Sequence, residues 1–254
     1  MPWNKDFLGA ALLLFSARLP LLGQAIPPVA SPPNQAPAAQ TPANPTSAPV
    51  QPEHMLLIMI DPAHGGSDSG AVFNPSLLEK DVTLGLSRRL RQELSTRGMP
   101  AQLLRDFDGT LSTDQRAAIV NAAHPALYLC IHATSQGSGM RIYTAMLSVG
   151  GDDHGPFLDW QTAQSALLAR SRWAQQQLAA SVQKTGFPVR SLLAPLRPLN
   201  NITIPAVAIE IAPTTGDVSQ LASADYQQMI TAALANSIAS LMPALRSNLE
   251  SATQ

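Results

Sequence analysis

Short apolar runs alternate with longer amphipathic segments from Met55 onward, and this alternation predicts the secondary structure. The short runs predict buried strands at 56–60, 101–105, 126–132, 140–147 and 205–211. The longer segments predict helices at 80–97, 112–121, 159–185 and 222–241. Because strands alternate with helices, the sequence predicts a single layered α/β domain with a mostly parallel, twisted sheet flanked by helices.

Two local patterns mark helix boundaries. Apolar residues recur at every fourth position from Val82 to Leu94, and Gly98 follows at a place where glycine commonly ends a helix. The sequence Ser-Thr-Asp-Gln at 112–115 matches a capping box, which predicts the start of the second helix.

Residues 1–25 have the layout of a secretory signal peptide. Lys5 precedes an apolar run at 7–15, and small residues lead up to Ala25. The apolar run alone is shorter than the roughly 20 residues that span a bilayer. We therefore expect export to the periplasm or cell envelope, with either cleavage after Ala25 or an uncleaved membrane anchor that uses residues 7–22.

A proline-rich segment follows, at 26–54. Its part at 26–52 holds nine of the chain's 22 prolines and no charged residue. Such a composition lacks the periodic apolar positions of a folded core and favours an extended linker. We expect the folded domain to cover 55–246 and a short C-terminal tail to cover 247–254.

Charge and cysteine content narrow the function classes. The chain of 254 residues has 16 Lys and Arg against 17 Asp and Glu, so no excess of basic residues favours nucleic acid as a partner. The single cysteine, Cys130, excludes an internal disulfide, so the core or a metal must stabilise the domain. We expect a monomer.

Glu210 lies in a run, 205–211, that otherwise predicts a fully buried strand. An isolated ionised carboxylate is costly to bury, so Glu210 requires a partner or a polar site. Three further polar residues lie near predicted element ends: His64 after the first strand, Glu79 at the turn into the first helix, and His132 at the end of the third strand. Ligands of α/β sheets bind beyond the carboxyl ends of the strands, so all four residues can converge there.

Two imidazoles and one carboxylate form a standard catalytic zinc set, with a fourth position for a water whose pKa falls to about 7. Glu210 beside that water would be compensated and could accept its proton. Taken singly, each residue also has a simpler interpretation: His64 as a turn residue, and Glu79 as a charge that complements the helix dipole. The same donor set also describes non-haem iron oxygenases.

Six segments carry a family resemblance: IMIDPAHGGSDSGAV, LLEKDVTLGLSRRL, LLRDFD, DQRAAIVNAA, LYLCIHATS and IPAVAIEIA. Over about 56–241 the chain resembles the zinc-dependent N-acetylmuramoyl-L-alanine amidases, exported enzymes that cut peptidoglycan. The resemblance implies that His64, Glu79 and His132 bind Zn²⁺ and that Glu210 is the catalytic acid and base. It implies hydrolysis of the amide between N-acetylmuramic acid and L-alanine of the stem peptide. The alternative is a catalytically silent peptidoglycan-binding module of the same fold.

The chain departs from the family pattern at several positions. Ala63 replaces a glycine before the first ligand, so this position should not require a positive φ. Cys130 and Thr134 replace a common serine and asparagine, and we interpret Cys130 as a buried apolar residue instead of a ligand. Residues 212–215 replace the glycine and asparagine that commonly follow the catalytic glutamate, in a loop expected to border the substrate.

Other polar residues have structural interpretations. Asp61 either orients the first ligand or closes the turn before Pro62. Scaffold roles are expected for Arg105, Arg116, Asp106, Asp108 and Asn121, and solvent exposure for His54 and His124. The loop at 149–160 contains Asp152, Asp153 and His154, and we favour a polar loop over a second metal site. Division-type members of the family carry a regulatory helix in this region that occludes the zinc site. This loop is too short for such a helix, so we expect the site to be open.

Overall fold

Six strands form one mixed sheet in the computed structural model, which describes residues 56–147 and 162–252. The strands of the chain are β1 (Ile58–Pro62), β2 (Val72–Asn74), β3 (Leu77–Leu78), β4 (Ala101–Leu103), β5 (Leu127–Ala133), β6 (Gly139–Ala145), β7 (Val189–Ala194) and β8 (Ala206–Ala212). The helices are α1 (Glu79–Thr96), α2 (Thr113–Ala123), α3 (Leu168–Gln183) and α4 (Ala224–Ala252). Short 3₁₀ helices cover Ser165–Leu167, Leu199–Asn201 and Val218–Ala222.

The strand order in the sheet is β4-β1-β5-β8-β6-β7, and β2 pairs with β3 in a separate hairpin. The first four strands in that order are parallel, β6 is antiparallel to β8, and β7 is parallel to β6. The predicted fold class, a mostly parallel sheet flanked by helices, is therefore confirmed. The reversal at β6 brings the beginning of β6 next to the end of β8.

Apolar residues on both faces of the central strands explain why the sheet is buried. Leu127, Leu129 and Ile131 of β5 join a large core formed with α1, α3 and α4. The alternate residues Tyr128 and Cys130 join a smaller core with α2 and the 3₁₀ helix Leu199–Asn201. Successive side chains of a strand point to opposite faces, so a continuous apolar run serves both cores.

Each predicted strand and helix has a counterpart in the structure, but the sequence did not predict β2, β3 and β7. The strand β7 lies at the sheet edge and most of its residues are exposed, so it lacks the apolar run of a buried strand. The last helix continues to Ala252, beyond the predicted end at 241 and through Pro243. Helix therefore covers much of the expected C-terminal tail. The expected signal segment, the linker and the loop at 149–160 lie outside the described residues.

The segment Ala224–Ser247 of α4 is long and apolar enough to cross a membrane by length and composition. Its apolar stripe is buried in the large core: Tyr226, Ile230, Leu234, Ile238 and Leu241. The helix packs against α1 and α3. We interpret α4 as a core helix, since burial of this stripe explains its hydropathy.

The helix α1 should be sensitive to truncation of its buried stripe. Leu94 is 0% exposed, so Leu94→Ala should lower the free energy of unfolding by about 2–5 kcal/mol through lost burial and a residual cavity. The neighbouring residue Ser95 is exposed and provides a control. Ser95→Ala should change the free energy of unfolding by less than about 0.5 kcal/mol. Urea unfolding of both variants measures the difference. Equal stabilities would contradict the packing described for α1.

Candidate active site

The loop after β1 presents His64 through an unusual backbone turn. His64 has φ 62°, and Gly65 and Gly66 have φ of 131° and 60°. Few non-glycine residues adopt a positive φ, so the surrounding structure must hold His64 in place. Ala63 does not have a positive φ, as expected for the position where it replaces glycine. Asp68 closes the turn by backbone hydrogen bonds with Gly65 at 2.8 and 3.1 Å.

Two buried arginines hold the carbonyl groups of this loop. Arg105 donates to the carbonyl oxygens of Pro62 and Ala63, both at 3.0 Å. Arg116 donates to the carbonyl oxygens of Pro62 at 3.0 Å and His64 at 2.6 Å. These contacts satisfy polar groups that would otherwise be buried without partners. The two arginines therefore fix the backbone on both sides of Ala63.

Asp61 neither contacts the His64 ring nor acts through a simple turn contact. Its fully buried carboxylate pairs with Arg116 and accepts a hydrogen bond from the Tyr128 hydroxyl at 2.5 Å. Asp61 lies opposite Cys130 of β5, on the face of β1 that packs in the smaller core with Tyr128. Asp68 takes the orienting role instead, because its carboxylate lies 2.9 Å from Nδ1 of His64. Asp68 was not predicted from the sequence, where its spacing of four residues from His64 was the available signal.

His64, Glu79 and His132 converge at the carboxyl ends of β1 and β5. Nε2 of His64 lies 3.2 Å from Oε2 of Glu79, and Nδ1 of His132 lies 3.0 Å from Oε1. One ligand atom from each residue lies within 4.8 Å of the others, so the group could hold a metal ion. The two rings meet edge to face, with centroids 5.3 Å apart.

The carboxylate of Glu79 is the centre of this group. Glu79 is the first residue of α1, and its oxygens also accept from the backbone N–H groups of Ala71 at 2.9 Å and Ala133 at 3.2 Å. Burial opposes ionisation, but the hydrogen bonds of His132, His64 and Ala71 outweigh it and hold the pKa of Glu79 well below its usual range. The group is therefore a carboxylate under ordinary conditions.

The two imidazoles respond to this negative charge. The hydrogen bond with Glu79 raises the pKa of His64, although burial opposes the shift. Burial would also lower the pKa of His132, but Cys130 and Glu79 together raise it well above its usual value. Both shifts extend to higher pH the range over which each imidazole holds a proton.

Glu210 lies in β8 next to His132 of β5, since their Cα atoms are register partners. Its Oε2 accepts a hydrogen bond from the Tyr143 hydroxyl at 2.8 Å and lies 2.7 Å from Nε of Arg141. The arginine contact is a charge pair, because its N–H is not aimed along a hydrogen bond. Burial and the Glu210 contact raise the pKa of Tyr143 to about 12. These contacts supply the compensation that a carboxylate in this strand requires.

Tyr143 and Arg141 were not predicted from the sequence as site residues. Both belong to β6 and lie two residues apart, so they share one face of the strand. That alternation was visible in the sequence, but the antiparallel pairing that places Arg141 opposite Glu210 was not.

Gly70 leaves room for the cluster. A Cβ atom at Gly70 would lie 2.6 Å from Cδ2 of His64 and 2.7 Å from Oε2 of Glu79. Its φ of 64° is also unfavourable for side chains other than glycine. The close approach of the loop to Glu79 therefore requires glycine at this position.

The remaining predicted residues are accounted for within the described part of the chain. Cys130 is buried in the smaller core, in agreement with its interpretation as an apolar residue. The scaffold contacts are Asp106 with Arg88 and Arg91, Asp108 with Lys80 and the Gly66 N–H, and Asn121 with the backbone of Asn201 and Thr203. His124 is the exposed C-cap of α2. Thr134 accepts from the Gln136 N–H, and Gln220 accepts from the N–H groups of Thr214 and Thr215.

The chain is similar in sequence to several known proteins. The chain is 31% identical to the N-acetylmuramoyl-L-alanine amidase LytC of Bacillus subtilis over 179 residues, which are 70% of this chain and 34% of LytC. It is 29% identical to the uncharacterized Bacillus subtilis protein YqiI over 196 residues, 76% of this chain and 88% of YqiI. The N-acetylmuramoyl-L-alanine amidase AmiC of Escherichia coli is 37% identical over 93 residues, 35% of this chain and 22% of AmiC. The chain thus spans about a third or less of the two named amidases.

A solved structure shares the fold. The N-acetylmuramoyl-L-alanine amidase AmiC2 of Nostoc punctiforme superposes with a TM-score of 0.57 at 26% identity, over 76% of this chain and 99% of that one. The family model described as N-acetylmuramoyl-L-alanine amidase matches residues 58–240. That range contains the whole sheet and the candidate site, and the chain accordingly belongs to the N-acetylmuramoyl-L-alanine amidase family.

Proposed function

We propose that this chain cleaves the amide bond between N-acetylmuramic acid and the L-alanine of the peptidoglycan stem peptide, with Zn²⁺ held by His64, Glu79 and His132. Family membership supports the peptidoglycan amidase activity. The observation that carries the mechanism is the convergence of three ligand atoms within 4.8 Å beside a second acidic residue, Glu210, on the adjoining strand.

The donor set fits Zn²⁺. Two imidazoles and a carboxylate are typical of catalytic zinc sites, whereas structural zinc sites have four protein ligands. The side chains of His64 and His132 are 23% and 30% exposed, so water and substrate can reach the group. When bound, Zn²⁺ polarises the scissile carbonyl and makes a coordinated water more acidic. A non-haem iron centre uses similar donors, and metal analysis distinguishes the two.

Glu210 is assigned the proton transfers. It accepts a proton from the attacking water and returns it to the leaving amine of L-alanine, as a general base and then a general acid. Among the described residues, Tyr143 and Arg141 both contact Oε2 of Glu210. Their contacts orient the carboxylate and favour Oε1 as the oxygen that exchanges the proton.

The location of this reaction follows from its substrate. A peptidoglycan amidase acts on the cell wall, so we propose export through the N-terminal segment to the periplasm or envelope, with a membrane anchor if residues 1–25 are not cleaved. We further propose that the protein acts as a monomer. The rival function is a module that binds peptidoglycan without cutting it, and product analysis separates the two.

Replacement of Glu210 tests the assignment. Glu210→Gln keeps the shape of the side chain but removes the base, so release of stem peptides should fall by about 10²–10⁴-fold while the zinc content is unchanged. Purified peptidoglycan is digested by both proteins, and mass spectrometry identifies peptides with an L-alanine amino terminus. Glu93→Gln, on the far part of α1, is the matched control. Wall binding without peptide release by the zinc-loaded wild type would favour the binding module.

Zinc affinity should depend on pH. The pKa values of His64 and His132 are raised, so protons compete with Zn²⁺ above the usual imidazole value of about 6.5. Affinity should therefore be highest at alkaline pH and fall on acidification, by up to about 100-fold per pH unit once both imidazoles are protonated. Competition with a chromophoric chelator measures this dependence. His124→Asn is the control, because His124 is exposed and has a left-handed backbone. This variant should show the same dependence of zinc affinity on pH as the wild type. A zinc affinity that does not change with pH in the wild type would contradict the assigned ligands.

Gly70→Ala should weaken zinc binding. The added methyl group would collide with His64 and Glu79, so zinc affinity should fall by at least about tenfold. Gly216 has a similar φ of 81°, but a methyl group there would meet no atom within 4 Å, so Gly216→Ala adds only backbone strain. Calorimetric zinc titration of both variants separates the two effects. Equal affinities would show that the loop can move away from the cluster.

A further inference from the structure

A row of polar residues crosses four neighbouring strands. The Cα atoms of His132 (β5), Glu210 (β8), Arg141 (β6) and Arg190 (β7) are successive register partners. Register partners lie on one face of a sheet, and neighbouring strands are about 4.8 Å apart. Arg190 therefore lies on the order of 10 Å from Glu210, on the side away from His132.

The two arginines also line one cavity of about 420 Å³. Gly137, Ser138, Gln183 and Phe187 contribute to the same walls, and none of the cavity's lining residues is acidic. Arg141 lines this cavity and also contacts Glu210, and its Nη2 donates a hydrogen bond to the Gln136 carbonyl at 2.9 Å. Arg190 is exposed, and no acidic residue in the described part of the chain forms an ion pair with it. The cavity therefore has a positive charge that is available to an anion.

The proton transfers assigned to Glu210 set the direction of the substrate. The acid must reach the nitrogen of the leaving L-alanine, so the peptide side of the scissile bond lies on the Glu210 side of the His64, Glu79 and His132 group. Beyond Glu210 in the same direction are Arg141 and Arg190. An extended chain advances about 3.3–3.6 Å per residue, so the residue after L-alanine comes within reach of an arginine side chain.

We propose that Arg141 and Arg190 form a carboxylate subsite for the stem-peptide residue that follows L-alanine. The subsite rests on the proposed amidase function and assigns it a substrate preference. Arginine presents planar paired donors that match a carboxylate, whereas a carboxamide offers no negative charge. Arg190 is the main anchor, because Arg141 is already engaged with Glu210. The chain therefore prefers stem peptides with a free carboxylate at the second residue over amidated ones.

The test compares zinc-loaded full-length proteins on two muropeptides that differ only in having D-glutamate or D-isoglutamine after L-alanine. Wild type should have a kcat/KM about tenfold higher for the acid, mostly through KM. Arg190→Gln should lose this preference, Arg190→Lys should keep part of it, and added salt should weaken it in wild type. Arg172→Gln, an exposed arginine of α3, is the control and should keep the full preference.

A binding measurement gives a second readout. Calorimetry with the released acidic peptide should show about tenfold weaker binding to Arg190→Gln than to wild type or Arg172→Gln. Equal cleavage of both muropeptides by wild type, or a preference that survives in Arg190→Gln, would overturn the subsite and leave the amidase function standing. Cleavage of neither muropeptide, with Arg190-dependent binding of the acidic peptide, would overturn the amidase function and support the carboxylate subsite.

Discussion

The Glu79 carboxylate organises the site through its contacts with the rings of His64 and His132. Its oxygens lie 3.2 and 3.0 Å from the two ring nitrogens, and each also accepts a backbone N–H. One residue at the start of α1 thereby connects the loop after β1 with the end of β5. Burying this carboxylate is costly unless all of these donors, or a metal ion, are present. The constraint explains why the surrounding loop approaches so closely at Gly70.

The loop that presents His64 depends on a second buried charge arrangement. Asp61 compensates Arg116, and Arg116 together with Arg105 satisfies the carbonyl groups at 62–64. A buried ion pair of this kind contributes little net stability when compared with apolar packing, but loss of one partner leaves an unpaired charge. We interpret the pair as the element that maintains the left-handed backbone of His64 and hence the direction of its ring.

The change of strand direction at β6 brings Arg141 and Tyr143 to the site. A fully parallel sheet would align the carboxyl ends of the strands and would place the beginning of β6 at the opposite edge. Because β6 runs antiparallel to β8, Arg141 lies opposite Glu210 and Tyr143 lies within hydrogen-bond distance of it. The proposed proton-transfer residue and the positive cavity are thereby joined along one row of the sheet.

The sequence by itself determined the main elements and the four candidate residues. Apolar runs predicted the buried strands β1, β5 and β8, because burial on both faces leaves a continuous apolar pattern. His64, Glu79, His132 and Glu210 stood out because charged or imidazole groups at apolar element ends require compensation. Only the tertiary structure decided which partners compensate them. Asp68, Tyr143 and Arg141 are ordinary polar residues in the sequence, and the exposed edge strand β7 has no distinctive pattern. Their roles depend on strand order, direction and register, which are set by contacts between distant segments and have no local signature.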